Sequence, residues 1–156
     1  MSKKTFLLFT LLTLATIVQA QSPQAALIPM PNDIEVFEDK KPYRISNKSV
    51  IGGDIEALGY ELQYLQQILK KHFGLDIRVE QTRKADILLE FDVSLRDTEA
   101  YNIEITNKGM HIVASNPMAM FRAITTLDQI LIGDQHRTLN GKIAQLEIHD
   151  APRFGF

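Results

Sequence analysis

The chain has 156 residues, 45% of them hydrophobic, with 17 basic against 19 acidic side chains and no cysteine. That length suits one domain with a real core. A mildly acidic balance with no basic run argues against nucleic acid and anionic membranes as partners. Without cysteine there are no disulfides and no lipid-bearing thiol.

Residues 1–20 have the pattern of a secretory signal peptide. Lys3 and Lys4 give a positive start, residues 5–18 form an apolar run too short to span a bilayer comfortably, and Val18-Gln19-Ala20 supplies small residues ahead of a cut before Gln21. Removing 20 of 156 residues leaves 136, with 15 basic against 19 acidic residues and a net charge of −4. Export without cysteine points to a bacterial periplasm or exterior, because small secreted eukaryotic domains usually lean on disulfide bridges. With the signal removed, no membrane partner is expected. The remainder has no internal repeat and no low-complexity segment.

Leu27-Ile28-Pro29-Met30-Pro31 opens the domain as an extended, proline-stiffened segment. Residues 34–37 and 43–45 have strand character. Gly52-Gly53-Asp54 is expected to be a turn, with Asp54 capping the helix that follows. In that helix Ile55, Leu58, Leu62, Leu65 and Leu69 recur at spacings of three and four. Lys70, Lys71 and His72 complement the dipole in its last turn, and Gly74 closes it.

Ile77 and Val79 start a further strand. Residues 81–84 turn, and residues 86–91 form a strand with an apolar middle. Residues 96–99 then make a polar link to the clearest stretch of the chain. Tyr101, Ile103 and Ile105 alternate with polar residues. Asn107-Lys108-Gly109 turns the chain, with Gly109 free to take positive φ, and Met110, Ile112 and Ala114 resume the alternation. Ser115-Asn116-Pro117 starts a second helix, whose stripe is Phe121, Ile124, Leu127 and Leu131 and whose stop is Gly133. A polar loop over residues 134–141 precedes a last strand over residues 143–148. The order β-β-α-β-β-β-β-α-β predicts an α+β fold. Its mostly antiparallel or mixed sheet would carry both amphipathic helices on one face.

LIPMP, ADILLEF, EAYNIEIT, NKGMHIVAS, the helix with TTLDQIL, and IHDAPRF follow one another in this order. Together they resemble the N-terminal accessory domain of bacterial family 20 glycoside hydrolases, the β-N-acetylhexosaminidases, over essentially the whole mature chain. Ala119 and Ala123 stand where that family's second helix often has glycine, and both still allow close packing. The resemblance implies a domain over residues 21–149 with the outline of a zincin metalloprotease but no metal site, and residues 150–156 as the start of a linker into a catalytic barrel. The residues agree on the metal. A zincin needs two histidines one turn apart with a glutamate between them, whereas His72, His111, His136 and His149 are scattered.

Catalytic residues are not expected in this chain, nor is a cofactor or a metal. Glu90 and Asp92 lie two apart on one predicted strand and so share a face, but charged residues alternating with apolar ones are the solvated side of a sheet. Thr125, Thr126 and Gln129 have no base at a recognisable spacing and are taken as packing and surface positions. In the family, the acid-base glutamate and its neighbouring aspartate belong to the barrel. The substrate-gripping arginine follows the Asp-x-Pro-Arg-Phe segment by three residues, one position past Phe156. Asp150, Pro152, Arg153 and Phe154 are therefore expected to be structural residues of a domain junction. The resemblance implies a truncated product or incomplete gene model of an exported enzyme that removes terminal N-acetylhexosamine from glycans, with glycan met only through the missing domain. The alternative is a free-standing exported module that binds glycan or protein without chemistry.

Overall fold

The computed structural model describes Leu27 and residues 30–95, 99–133 and 140–151. The expected signal peptide, much of the opening proline segment, most of the 96–99 link, residues 134–139 of the polar loop, and Pro152, Arg153 and Phe154 lie outside the described residues. Among the described residues nine strands and two helices follow in the order β1 (Asp33–Phe37), β2 (Tyr43–Arg44), β3 (Val50–Gly53), α1 (Ile55–Phe73), β4 (Arg78–Gln81), β5 (Ile87–Phe91), β6 (Tyr101–Thr106), β7 (Gly109–Ala114), α2 (Pro117–Gly133), β8 (Lys142–Ile143) and β9 (Gln145–Asp150). Seven strands form one mixed sheet in the order β1-β9-β6-β7-β5-β3-β4, and β2 pairs with β8 in a separate ribbon. The β1-β9-β6-β7 half is antiparallel, and the β7-β5-β3-β4 half is parallel. The fold is α+β with a mixed sheet, as the element order predicts.

Alternation divides the sheet into two unlike faces. On one lie Ile51, Ile87, Leu89, Ile103, Ile105, Ile112, Leu146 and Ile148, all no more than 1% exposed. Both helices cover that face, α1 over β3 and β4, α2 over β6 and β7, and they pack against each other. The other face is polar, with Glu104 directly opposite both His111 and Glu147, and Glu147 opposite Glu35.

Helix α1 follows its sequence signals closely. The Asp54 carboxylate accepts a hydrogen bond from the Glu56 amide (3.0 Å), satisfying one of the free donors of the first turn. At the other end Gly74 takes φ 66° and donates its amide to the Lys70 carbonyl. Leu58, Leu62, Leu65 and Leu69 are buried as the stripe requires, and Ile68 joins them. Ile55 does not: it is 43% exposed at the helix start. In α2 the cap is Asn116, whose side-chain oxygen accepts from the Ala119 amide (3.0 Å).

Several boundaries differ from expectation. Gly52-Gly53 is not a turn but half of β3, a strand with neighbours on both sides. A Cβ on Gly52 would stand 2.5 Å from both the Ala85 Cβ and the Thr82 carbonyl oxygen, and one on Gly53 would stand 2.9 Å from the Leu89 carbonyl oxygen. The glycines are there because the chain passes too close for a side chain. Gly109 is a second case: Gly74 and Gly141 are the only glycines with positive φ among the described residues, and the Asn107-Lys108 connection has negative φ at both residues. A Cβ on Gly109 would lie 2.2 Å from the Asp86 carbonyl oxygen, so close approach to the chain entering β5, not turn geometry, requires glycine.

The α2 stripe is centred one residue from its predicted line, on Ala119, Met120, Ala123, Ile124, Leu127, Ile130 and Leu131. Phe121 falls at its margin, 49% exposed, and stacks on Tyr64 of α1 with ring centroids 5.2 Å apart. The last predicted strand is two: β8 belongs to the ribbon, and after Ala144 the chain joins the main sheet as β9 between β1 and β6.

Candidate functional site

The carboxylates are the first groups to weigh for hydrolytic chemistry. Glu90, on the polar side of β5, is held by two partners, His111 Nε2 at 2.9 Å and the Arg83 guanidinium, with Nε at 3.3 Å. Asp92 lies just past the end of β5, so the two do not share a strand face. Its carboxylate accepts from the Ser94 hydroxyl and amide, the latter at 2.8 Å, and those bonds hold it below the usual aspartate range. A glycosidase acid needs the opposite, a carboxyl kept protonated near neutral pH. Glu99 pairs with Arg122 of α2 at 2.6 Å. Each of these three carboxylates is committed to a structural partner.

The described histidines are tethered separately. His72 Nε2 contacts Asp128 at 2.5 Å and ties α1 to α2, His111 meets Glu90, and His149 Nδ1 meets Asn102 at 2.9 Å across neighbouring strands. His136 lies outside the described residues. No three of His, Cys, Asp and Glu converge as metal ligands among the described residues. A cleft of about 170 Å³ opens at the C-terminal ends of β3 and β5 beside the start of α1, the position where open α/β sheets often bind ligands. Its polar groups are already engaged: Asp54 caps the helix, and Arg83 pairs with Glu90. It is also smaller than the roughly 300 Å³ of ordinary ligand pockets.

At the same end of the strands, towards the other edge of the sheet, several groups converge on Asp150. It is the last residue of β9 and sits directly across from Tyr101, the first of β6. Its Oδ1 accepts from the Asn32 amide (3.0 Å), and the Asn32 side-chain amide donates to the Ala151 carbonyl (2.6 Å). The Tyr101 hydroxyl meets Thr126 Oγ1 of α2 at 2.8 Å. Burial first, and then the charge of Asp150, push the Tyr101 phenol far above its ordinary value against the opposing effects of Thr126 and Arg122. Asp150 is the one predicted junction residue among the described residues.

Residues 24–151 match the family model for glycosyl hydrolase family 20, domain 2. The chain belongs to this family. No curated protein matches it in sequence. Among solved structures, the N-acetyl-β-hexosaminidase of Streptomyces plicatus in complex with Thio-NAglucal is similar at 22% identity and TM-score 0.67, over 85% of this chain and 27% of that one. The family 20 exo-β-N-acetylglucosaminidase of Vibrio harveyi, in complex with N-acetylglucosamine, is similar at 21% identity and TM-score 0.64, over 85% of this chain and 20% of that one. The β-N-acetylhexosaminidase of Bacteroides fragilis follows at 23% and 0.61, over 81% and 25%. At these identities the likeness shows the fold.

The family 20 domain described here thus spans only 20–27% of the length of those three proteins. Among its described residues no helix is long and apolar enough to cross a membrane. Its exposed large apolar side chains lie largely on the helices: Tyr60 is 89% exposed one turn before Tyr64, and Met118 is 57% exposed one turn before Phe121. What the sequence did not single out is the set of partners around Asp150. Tyr101 carried one signal: an inward-facing tyrosine buries its ring but must still satisfy its hydroxyl.

Proposed function

We propose that the chain is the non-catalytic N-terminal accessory domain of an exported β-N-acetylhexosaminidase, an enzyme that releases terminal N-acetylhexosamine from glycans with the substrate's own acetamido group as nucleophile. The observation that carries this reading is the family 20 domain 2 match over residues 24–151. The engagement of Glu90, Asp92 and Glu99 in structural bonds supports the non-catalytic part. On this reading residues 21–149 are the accessory domain, and residues 150–156, with Asp150, Pro152, Arg153 and Phe154, begin the passage to the catalytic barrel. The chain itself requires no cofactor or metal and meets glycan only through that barrel.

An NMR titration tests this against a free-standing glycan-binding module. Millimolar N-acetylglucosamine or its β-1,4-linked dimer is expected to leave every amide shift of the chain unchanged. A saturable, localised set of shifts would establish a glycan site in this domain and overturn the reading.

Export to a bacterial periplasm or exterior rests on the lysine pair, the apolar run and Val18-Gln19-Ala20. Mass mapping of exported protein is expected to find its N-terminus at or within a residue or two of Gln21. Exported material that keeps Phe6 and Leu14 would rule the signal peptide out.

A further inference from the structure

We propose that Asn32 and Asp150 form a clasp that fixes the direction in which the chain leaves the sheet at Ala151, and that Asp150 is thereby a positioning residue for the neighbouring domain. The clasp stands on geometry alone; its service to a second domain rests on the accessory-domain reading.

Hydrogen-bonding capacity sets the direction of each bond. An ionised carboxylate only accepts, so the Asn32 backbone amide donates to Asp150 Oδ1, and the Asn32 side-chain amide donates to the Ala151 carbonyl. Tyr101, whose hydroxyl meets Thr126 of α2, lies opposite Asp150 in the β6–β9 ladder. The end of β9 is thereby held by the residue that precedes β1. Bonds to an ionised acceptor are roughly twice as strong as neutral ones.

The position of the clasp gives it consequence. The β6–β9 ladder runs only as far as the Tyr101–Asp150 pair, and the β1–β9 ladder only as far as Asp33–His149. Beyond those pairs, the Asn32 side-chain amide holds the Ala151 carbonyl at 2.6 Å. Asn32 and Asp150 lie 118 residues apart in sequence, so one contact ties the beginning of the sheet to its end. A chain leaving a sheet without such a contact would swing about its last ladder pair.

Amide exchange and ¹⁵N relaxation on the full chain test the clasp. In the unsubstituted protein the Ala151 amide is expected to have an order parameter near ~0.85, that of rigid backbone, and in Asp150→Ala it should fall below ~0.6. Exchange of the Asn32 amide should rise roughly tenfold or more, as expected when a bond to a charged acceptor is lost. Ile103 and Ile112, at the sheet centre, should keep their protection. Asp150→Asn retains a side-chain oxygen and should restore most of the rigidity. Asn32→Ala leaves β9 untouched and should loosen Ala151 in the same direction, which keeps the test valid if Asp150→Ala unfolds. A mobile Ala151 in the unsubstituted chain, an unchanged Ala151 in both Asp150→Ala and Asn32→Ala, or uniform loss of protection in both would overturn the clasp. None of these outcomes bears on the glycan titration, so the two readings fail separately.

Discussion

Replacing Gly109 with alanine is expected to destabilise the domain by about 1–3 kcal/mol, a sizeable share of the ~5–15 kcal/mol typical of such folds. The added methyl would stand 2.2 Å from the carbonyl oxygen of Asp86 and 3.1 Å from its carbon. Both are backbone atoms, so no rotamer change relieves the clash and β7 must back away from β5. That movement strains the bond from the Met110 amide to the Asp86 oxygen (2.8 Å), and it opens the contact between Met110 and Ile87, paired in register and both buried. Gly59 provides the control. It lies inside α1 with nothing within 4 Å of its would-be Cβ, so Gly59→Ala should stabilise by about 0.5–1 kcal/mol through helix propensity and a less flexible unfolded chain. Denaturant midpoints for the two variants should move in opposite directions. A neutral Gly109→Ala would mean that β5 and β7 are not packed as described.

The contrast between Gly52, Gly53 and Gly109 on one hand and Gly74 on the other marks where sequence was legible. Helix α1 could be placed almost to the residue because its signals are local: an aspartate cap, leucines at three- and four-residue spacing, a glycine at the end. The β6-β7-α2 stretch was legible for the same reason. Strand β3 was not. A pair of glycines signals either a turn or a close approach, and the atoms that decide between them belong to Thr82, Ala85 and Leu89, some thirty residues further along. The break between β8 and β9 was hidden likewise, because it arises from two different pairing partners and not from a breaker in the sequence.

The site divides along the same line. Asp150 stood out as part of a motif, but nothing local linked it to Asn32 and Tyr101, which meet it only when the sheet closes. Phe121 shows the tolerance of pattern reading. A helical stripe placed one residue off still contains Ile124, Leu127 and Leu131, yet it puts an exposed ring in the core.

The second large effect is an absence of turnover, and it follows from how the carboxylates are used. Retaining glycosidases place two carboxyl groups about 5–5.5 Å apart, and substrate-assisted ones place an acid beside a group that orients the acetamido. Here Glu90 is engaged by His111 and Arg83, and Asp92 is a turn cap held below the usual aspartate range and therefore anionic, with no proton to donate. The most direct test is the hydrolysis of an aryl N-acetyl-β-glucosaminide by the purified chain, followed by release of the phenol. Release at the rate of a blank without protein is the expected result. Turnover that survives repurification and disappears in Glu90→Gln or Asp92→Asn would contradict the account of this chain as a non-catalytic domain.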